Sequence, residues 1–419
     1  MPVQNPKQYR LLSLTFPLLI PLLLSSGEQV LLSLVAVLIV FGLLIIMSIF
    51  IKKRNRRLRN QSISAFVRKK QAEANCQELF YQTPVAIFDQ KKKHTNFGYA
   101  TDMAFIFEPE KVKRQMRLKE WDFYQIQHGR YVVQLTIGHI SYAQNVAINL
   151  IDLEAKKTYA SGIIKLFKGQ SMKMPVDPSV DQEVHYVDKK LGVDLHYVTK
   201  GKDRHLYGSI TGKDRITFAV DVHLERQENH EALVINTPFS HSFYHFYLNY
   251  KISNLKASGT FSMGDLAFRF DPQVDFGLLD WGRGVWPYHQ VWFWGQVNDY
   301  LPDGRMIGLN LGYGFGNLEA ASENMLFLDG KAHKLGRIYL ANDVTQDYLA
   351  DWVIKSPDGK IDLVMKTIYD RYHNADFKLI HMKCHQVYGR YYGTVTLEDG
   401  TVIELTGQQG FFERAHNQW

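Results

Sequence analysis

Asp280 and Arg283 stand three residues apart at the head of DWGRGVWPYHQVWFWG, residues 280–295, a stretch holding four of the chain's seven tryptophans: Trp281, Trp286, Trp292 and Trp294. A carboxyl group so placed could in principle serve as a proton donor. A carboxylate beside a fixed guanidinium stays ionised, however, and makes a poor proton donor. The expectation is therefore a structural Asp280–Arg283 ion pair holding the turn. In extended form Trp292 and Trp294 share a side opposite Val291, Phe293 and Gly295, and Pro287 separates this strand from the turn before it. Such a strand could floor an apolar pocket.

A second stretch, HSFYHFYLNYK, alternates with period two. His241, Phe243, His245, Tyr247, Asn249 and Lys251 fall on one face, aromatic with polar tips. Pointed into a barrel, that face lines a cavity with hydrogen-bonding groups; otherwise it is a solvated surface. His241 and His245 are four apart, which on a strand is roughly 13 Å, too far to share one ion. HEALV at 230 lacks the second histidine of a zinc-protease helix. GYGFGN, residues 312–317, lacks the Lys-Ser/Thr of a phosphate loop and is expected as a bulged or bent strand. Two cysteines, Cys76 and Cys384, build no disulfide framework and no thiol cluster. No metal and no cofactor is expected.

The elements that must carry these residues read as strands. Residues 183–226 are punctuated by Gly192, Gly201 and Gly212 at the spacing of a β-meander, and RITFAVDVHLE places Ile216, Phe218, Val220 and Val222 on a core face. Similar turns recur at Gly259, Gly330, Gly359 and Gly400, with no alternating strand-helix series. The expected class is mainly β. About 340 residues exceed one barrel or sandwich, so two units are expected, with a crossover near 236–241.

Ahead of them, Val30 to Ile51 is a run of 22 residues without charge, long enough at 1.5 Å per residue to cross a hydrocarbon core of about 30 Å. Leu11 to Leu24 is a shorter run with Pro17 and Pro21: a second short span, a re-entrant piece or a signal-peptide core. Lys52, Lys53, Arg54, Arg56, Arg57 and Arg59 follow the long run, which by the positive-inside rule places the remainder in the cytoplasm. Residues 52–70 carry nine basic residues and no acid and residues 1–51 net +1, so of the chain's +7 the rest carries 7 − 9 − 1 = −3. The basic character belongs to the anchor, which argues against a nucleic-acid partner and for anionic headgroups.

FGLLDWGRGVWPYHQVWFWG, then IGLNLGYGFGN and SENMLFLDGKAHKL, then HQVYGRYYGTVTLEDGT and the closing GFFERAHNQW together resemble the signature blocks of the bacterial domain-of-unknown-function family 2804, over roughly 78–419. More remotely, that family's fold is similar to the tandem lipocalin-like barrels of carotenoid hydratases and tocopherol cyclases. The resemblance implies two lipocalin-like antiparallel β-barrel units in tandem. Carried over to this chain, it would make Asp280 a proton donor and Trp281, Trp286 and Tyr288 the rings that stabilise a carbocation.

The expected organisation is a tail at 1–10, a membrane segment at 11–51, a basic juxtamembrane linker at 52–78, a first β-barrel half at 79–240 and a second at 241–419. The leading expectation of function is a membrane-anchored, cytoplasm-facing barrel that binds an apolar or amphipathic small molecule such as a lipid. Trp281, Arg283, Trp286, Tyr288, Trp292, Trp294, His245, Tyr247, Asn249 and Lys251 are its candidate ligand-binding residues. The alternatives are acid catalysis by Asp280 on an isoprenoid-like lipid, and an interaction module without a pocket.

Overall fold

The computed structural model describes residues 26–73, 77–166, 172–239, 242–376 and 381–418, with the side chains of 26–34, 36 and 58–62 left aside. The expectations for 1–10 and 11–24, together with Cys76 and His241, lie outside the described residues. The chain divides into two units, Met1–Leu58 and Arg59–Trp419.

One helix, Ser26–Glu73, runs for 48 residues. Among the described residues no helix is long and apolar enough to cross a membrane. The fully described apolar side chains, 37–51, cover only 15 residues before Lys52, Lys53 and Arg54, or about 22 Å at 1.5 Å rise. The fold therefore bears out the β part of the expectation and not the transmembrane part. The second unit shows a further difference. The segment expected as a linker stays helical to Glu73, and its later turns pack on the β body: Ile63 and Val67 are buried, Val67 against Phe97 and Ala320.

The β body is two curled antiparallel sheets in tandem. The first runs, strand by strand, through Lys157–Leu166, Ala143–Asp152, Tyr131–His139, Lys119–His128, Phe276–Val285, Ser242–Met263, Thr217–Glu225, Asp203–Thr211, Val193–Lys200 and Gln182–Asp188. The second centres on His289–Tyr300, with Met306–Tyr313 on one side and Val402–Gln418, His381–Thr396 and Ile361–Asp376 on the other. The expected boundary at 240/241 is corrected. Ser242–Met263 and Phe276–Val285 pair with Thr217–Glu225 and Lys119–His128 in the first sheet, so the crossover is 286–288, at Pro287. Leu233–Phe239, where a crossover was expected, is instead a strand of the first sheet.

Four consecutive strands form the expected meander, with Gly192 and Gly201 at φ near +60° in its turns. Phe218, Val220 and Val222 are core, but Ile216 is 39% exposed because it still belongs to the turn. GYGFGN is no bulge within a strand. The strand ends at Tyr313, and Gly314 and Gly316 at φ 89° and 83° turn the chain away.

Each sheet curls around its own apolar interior. Tyr124, Leu195, Val222, Phe246, Ile252 and Trp281 lie in the first; Val297, Leu309, Trp352, Tyr391 and Phe412 lie in the second. The opposite faces of the central strands meet in a seam, where Leu278 of one sheet packs with Trp294, Tyr388 and Phe411 of the other.

Candidate functional site

Alternation along Phe276–Val285 decides what Asp280 and Arg283 can touch. Residues three apart on a strand point to opposite faces, so the expected pair cannot form. Arg283 turns into the first sheet's interior and is fully buried. Its Nη2 meets Asp122 Oδ1 at 3.0 Å, its Nε lies 3.6 Å from Glu120 Oε1, and it donates to the carbonyls of Trp121 and Pro175 at 2.8 Å each. Trp281 lies beneath it, 4.0 Å from guanidinium carbon to ring centroid. Burial pushes the Asp122 pKa up, and the Arg283 charge and hydrogen bond pull it back.

Asp280 turns to the seam. It accepts from Asn249 Nδ2 at 2.6 Å and from Trp121 Nε1 at 3.1 Å, and lies 3.7 Å from Lys251 Nζ. The glycine of DWGRG has a specific task here: a Cβ at Gly282 would lie 2.1 Å from the Trp121 ring, so only glycine lets that indole reach the carboxylate. Lys251 also meets Glu323 Oε2 at 2.8 Å and rests over the Trp294 ring at 3.8 Å. Gly312 makes room for Glu323, whose Oε1 would be 2.5 Å from a Cβ there.

Three carboxyl groups, Asp280, Glu323 and Glu413, share this one ammonium. Lys251 makes its close contacts with Glu323 and Asp280, which leaves Glu413 the least compensated. Burial raises the Glu413 pKa to about 7; the Lys251 charge lowers it and the Asp280 charge raises it again. The Gln386 amide donates to Glu413 Oε2 at 3.3 Å, and the Cys384 thiol lies 3.7 Å away. Glu413, which the sequence did not single out, is thus the seam carboxyl whose protonated form burial favours.

Amides continue the seam on both sides of the charges. Gln134 Nε2 donates to Gln386 Oε1 at 2.8 Å, and Trp294 Nε1 to Asn310 Oδ1 at 2.8 Å. Asn254, at φ 53° in a bulge of the long strand, donates across to Ile307 O at 3.0 Å.

Of the candidate residues, the seam therefore gathers Asp280, Asn249, Lys251, Trp292 and Trp294. Trp286 and Tyr247 join an adjoining aromatic cluster with Trp121 and Phe315. Lys119 lies 4.6 Å over the Trp286 ring, and burial depresses its ammonium to about 7. Trp281 and Arg283 are on the far side of the strand. Tyr288 is 44% exposed. His245 sits six residues from Lys251, roughly 20 Å along the strand, where Arg114 Nη1 lies 2.9 Å from its Nε2. Between Tyr247 and Lys251 the polar-tipped face is turned to neither a barrel interior nor solvent, because Phe315, Glu323 and Trp294 cover it.

The open space lies elsewhere. A half-open pocket of about 270 Å³ lies between the last turns of the helix and the β body, walled by Phe66, Val67, Leu79, Tyr81, Phe97 and Ala320. Lys70, Gln71, Glu73, Thr95 and Asn96 give it polar edges.

Two of the solved structures similar to the chain are a fungal and a bacterial protein. Kievitone hydratase from Nectria haematococca has 11% identity and TM-score 0.45, covering 80% of this chain and 98% of its own. A Nitrosomonas europaea protein assigned as AttH has 12% identity and TM-score 0.45, covering 71% and 92%. No curated protein sequence matches. The seam and its flanking strands all lie within residues 78–419, and over that span the chain belongs to the family described as a domain of unknown function, DUF2804.

Proposed function

We propose that the protein is a membrane-anchored binder of an apolar or amphipathic small molecule, such as a lipid, held in the pocket between the helix and the β body. The observation that carries this reading is the exposed apolar helix. Val37, Leu38, Phe41 and Phe50 are 65%, 66%, 62% and 70% exposed, and fourteen large apolar side chains between Val35 and Ile51 are exposed in all. At about 1.5 kcal/mol or more for each side chain taken out of water, their cover is worth on the order of 20 kcal/mol. That exceeds the roughly 5–15 kcal/mol net stability of a typical domain, so a surface of this kind requires a partner phase. The apolar run followed by the basic cluster favours a bilayer as that phase, and by the positive-inside rule the cluster favours a cytoplasmic β body. The pocket, apolar with charged and amide edges, has the polarity of an amphipath.

With Cys76→Ser and Cys384→Ser removing the chain's own thiols, Lys213→Cys in an exposed turn should react with a membrane-impermeant maleimide only after cells are permeabilised. The protein should stay with membranes through alkaline carbonate washing. Release by carbonate, or labelling of intact cells, would contradict the reading.

A second reading, proton addition to an unsaturated apolar substrate, is favoured by one observation. Glu413 is a buried acid with a pKa near neutrality, close to the Trp292 and Trp294 rings.

A further inference from the structure

Four adjacent strands of the first sheet turn a row of histidines outward. Glu183 and His185, Asp194 and His196, His205 and Tyr207, and Asp221 and His223 occupy alternate positions on Gln182–Asp188, Val193–Lys200, Asp203–Thr211 and Thr217–Glu225. Their neighbours Val184, Leu195, Leu206 and Val222 are buried, so the whole set faces out. The register puts His185 opposite His196, His196 opposite Tyr207, and His205 opposite His223. The rings stack across the sheet: His185 on His196 at 3.8 Å, His196 on Tyr207 at 4.4 Å and His205 on His223 at 4.0 Å.

The donors converge. His185 Nε2 and His196 Nε2 approach the same oxygen, Asp194 Oδ1, at 2.9 and 3.1 Å, while His196 Nδ1 is 2.6 Å from Glu183 Oε1. Glu183, His185 and His196 each bring one donor atom to within 4.8 Å of the others, and so do His205, Asp221 and His223. Stacking bare imidazoles this closely, with ring nitrogens aimed at shared carboxylate oxygens, makes a set in which a cation can replace the bridging protons.

We propose that this face binds divalent transition-metal ions of the borderline class, one in each group. In the first group His185 Nε2, His196 Nε2 and Asp194 are ligands, and Glu183 orients His196 through Nδ1–H, the usual carboxylate–histidine–metal relay. In the second, His205, His223 and Asp221 are ligands. Imidazole with carboxylate suits zinc, copper and nickel rather than calcium or magnesium. Zinc–nitrogen bonds of about 2.0–2.1 Å need the donors to close in, which exposed side chains do by small rotations. Neither group touches the seam or the pocket, so the inference stands independently of the proposed function.

Equilibrium dialysis of the full-length, detergent-purified protein against zinc chloride, in a buffer free of chelators, tests it. The expected stoichiometry is two ions per chain, falling to one in His185→Asn/His196→Asn and to one in His205→Asn/His223→Asn. The quadruple variant should bind none. Far-ultraviolet circular dichroism without metal should be the same in all four proteins, since the replaced side chains lie on the outer face of the sheet and not in its core. Asp194→Asn and Asp221→Asn, milder changes, should each weaken one site at least tenfold. No saturable zinc binding would overturn the proposal. So would zinc retained by the quadruple variant but lost in His289→Asn/His416→Asn, a histidine pair in the second sheet.

Discussion

Arg283→Met destabilises the protein by about 3–5 kcal/mol in denaturant unfolding, because it leaves Asp122 and Glu120 inside the first sheet without a counter-charge. The chain cannot relieve this by hydration. Arg283 is fully buried, and the Pro175 and Trp121 carbonyls lose their donors along with it. Asp122→Asn costs less than Arg283→Met, since the guanidinium keeps its carbonyl partners. The double variant falls short of the sum by 1 kcal/mol or more, as groups in direct contact do. A cycle between Arg283 and Asp280 is additive to within about 0.5 kcal/mol, since the two lie on opposite faces and share no contact. Strong coupling to Asp280 and none to Asp122 would reverse the assignment of faces.

Glu413 gives the second large effect, visible in pH. Its carboxyl moves from the ordinary 4.5 to about 7 in the folded protein, so between those values the native state holds a proton that the unfolded chain has lost. Stability from this group is complete below pH 4.5 and is lost as pH rises through 7, at about 1.4 kcal/mol per pH unit and about 3 kcal/mol in all. Glu413→Gln keeps the hydrogen-bonding shape without the titration. Subtracting its stability profile from that of the parent, between pH 4.5 and 8, should leave a descending step of this size centred below pH 7. A flat difference would mean that Glu413 is ionised throughout, and the acid-catalysis reading would lose its proton donor.

Period-two patterning carried much of the fold into the sequence. The meander, the break at Pro287 and the shared side of Trp292 and Trp294 were all legible, because alternation and turn residues are local signals. The pairing of Ser242–Met263 and Phe276–Val285 with the first sheet was not, since nothing local distinguishes a strand that returns to an old sheet from one that starts a new one. The same limit hid the partners of Asp280 and Arg283. Counting by twos along 280–283 would have separated them, whereas closeness in sequence suggested a pair.

Glu413 had a readable signal as well. In GFFERAHNQW it alternates with Phe411 and Ala415 on one face, and an acid in an apolar row is a buried acid. Lys251 with Asn249 was found by that same alternation. Glu323 was not, because it comes from a loop, where alternation gives no face, and Gly312 leaves the room it occupies. The outward histidines were readable one strand at a time, as an acid two residues before a histidine at 183, 194 and 221, but their convergence depends on register between strands.

The proposed ligand is an amphipathic molecule in the space walled by Phe66, Phe97 and Ala320. Native mass spectrometry of the full-length protein, extracted in mild detergent, tests it most directly. The expected result is an added mass that is released on denaturation, is soluble in organic solvent, and is absent when Ala320→Phe fills the pocket. A bare protein mass, or an adduct kept equally by Ala320→Phe, would contradict it.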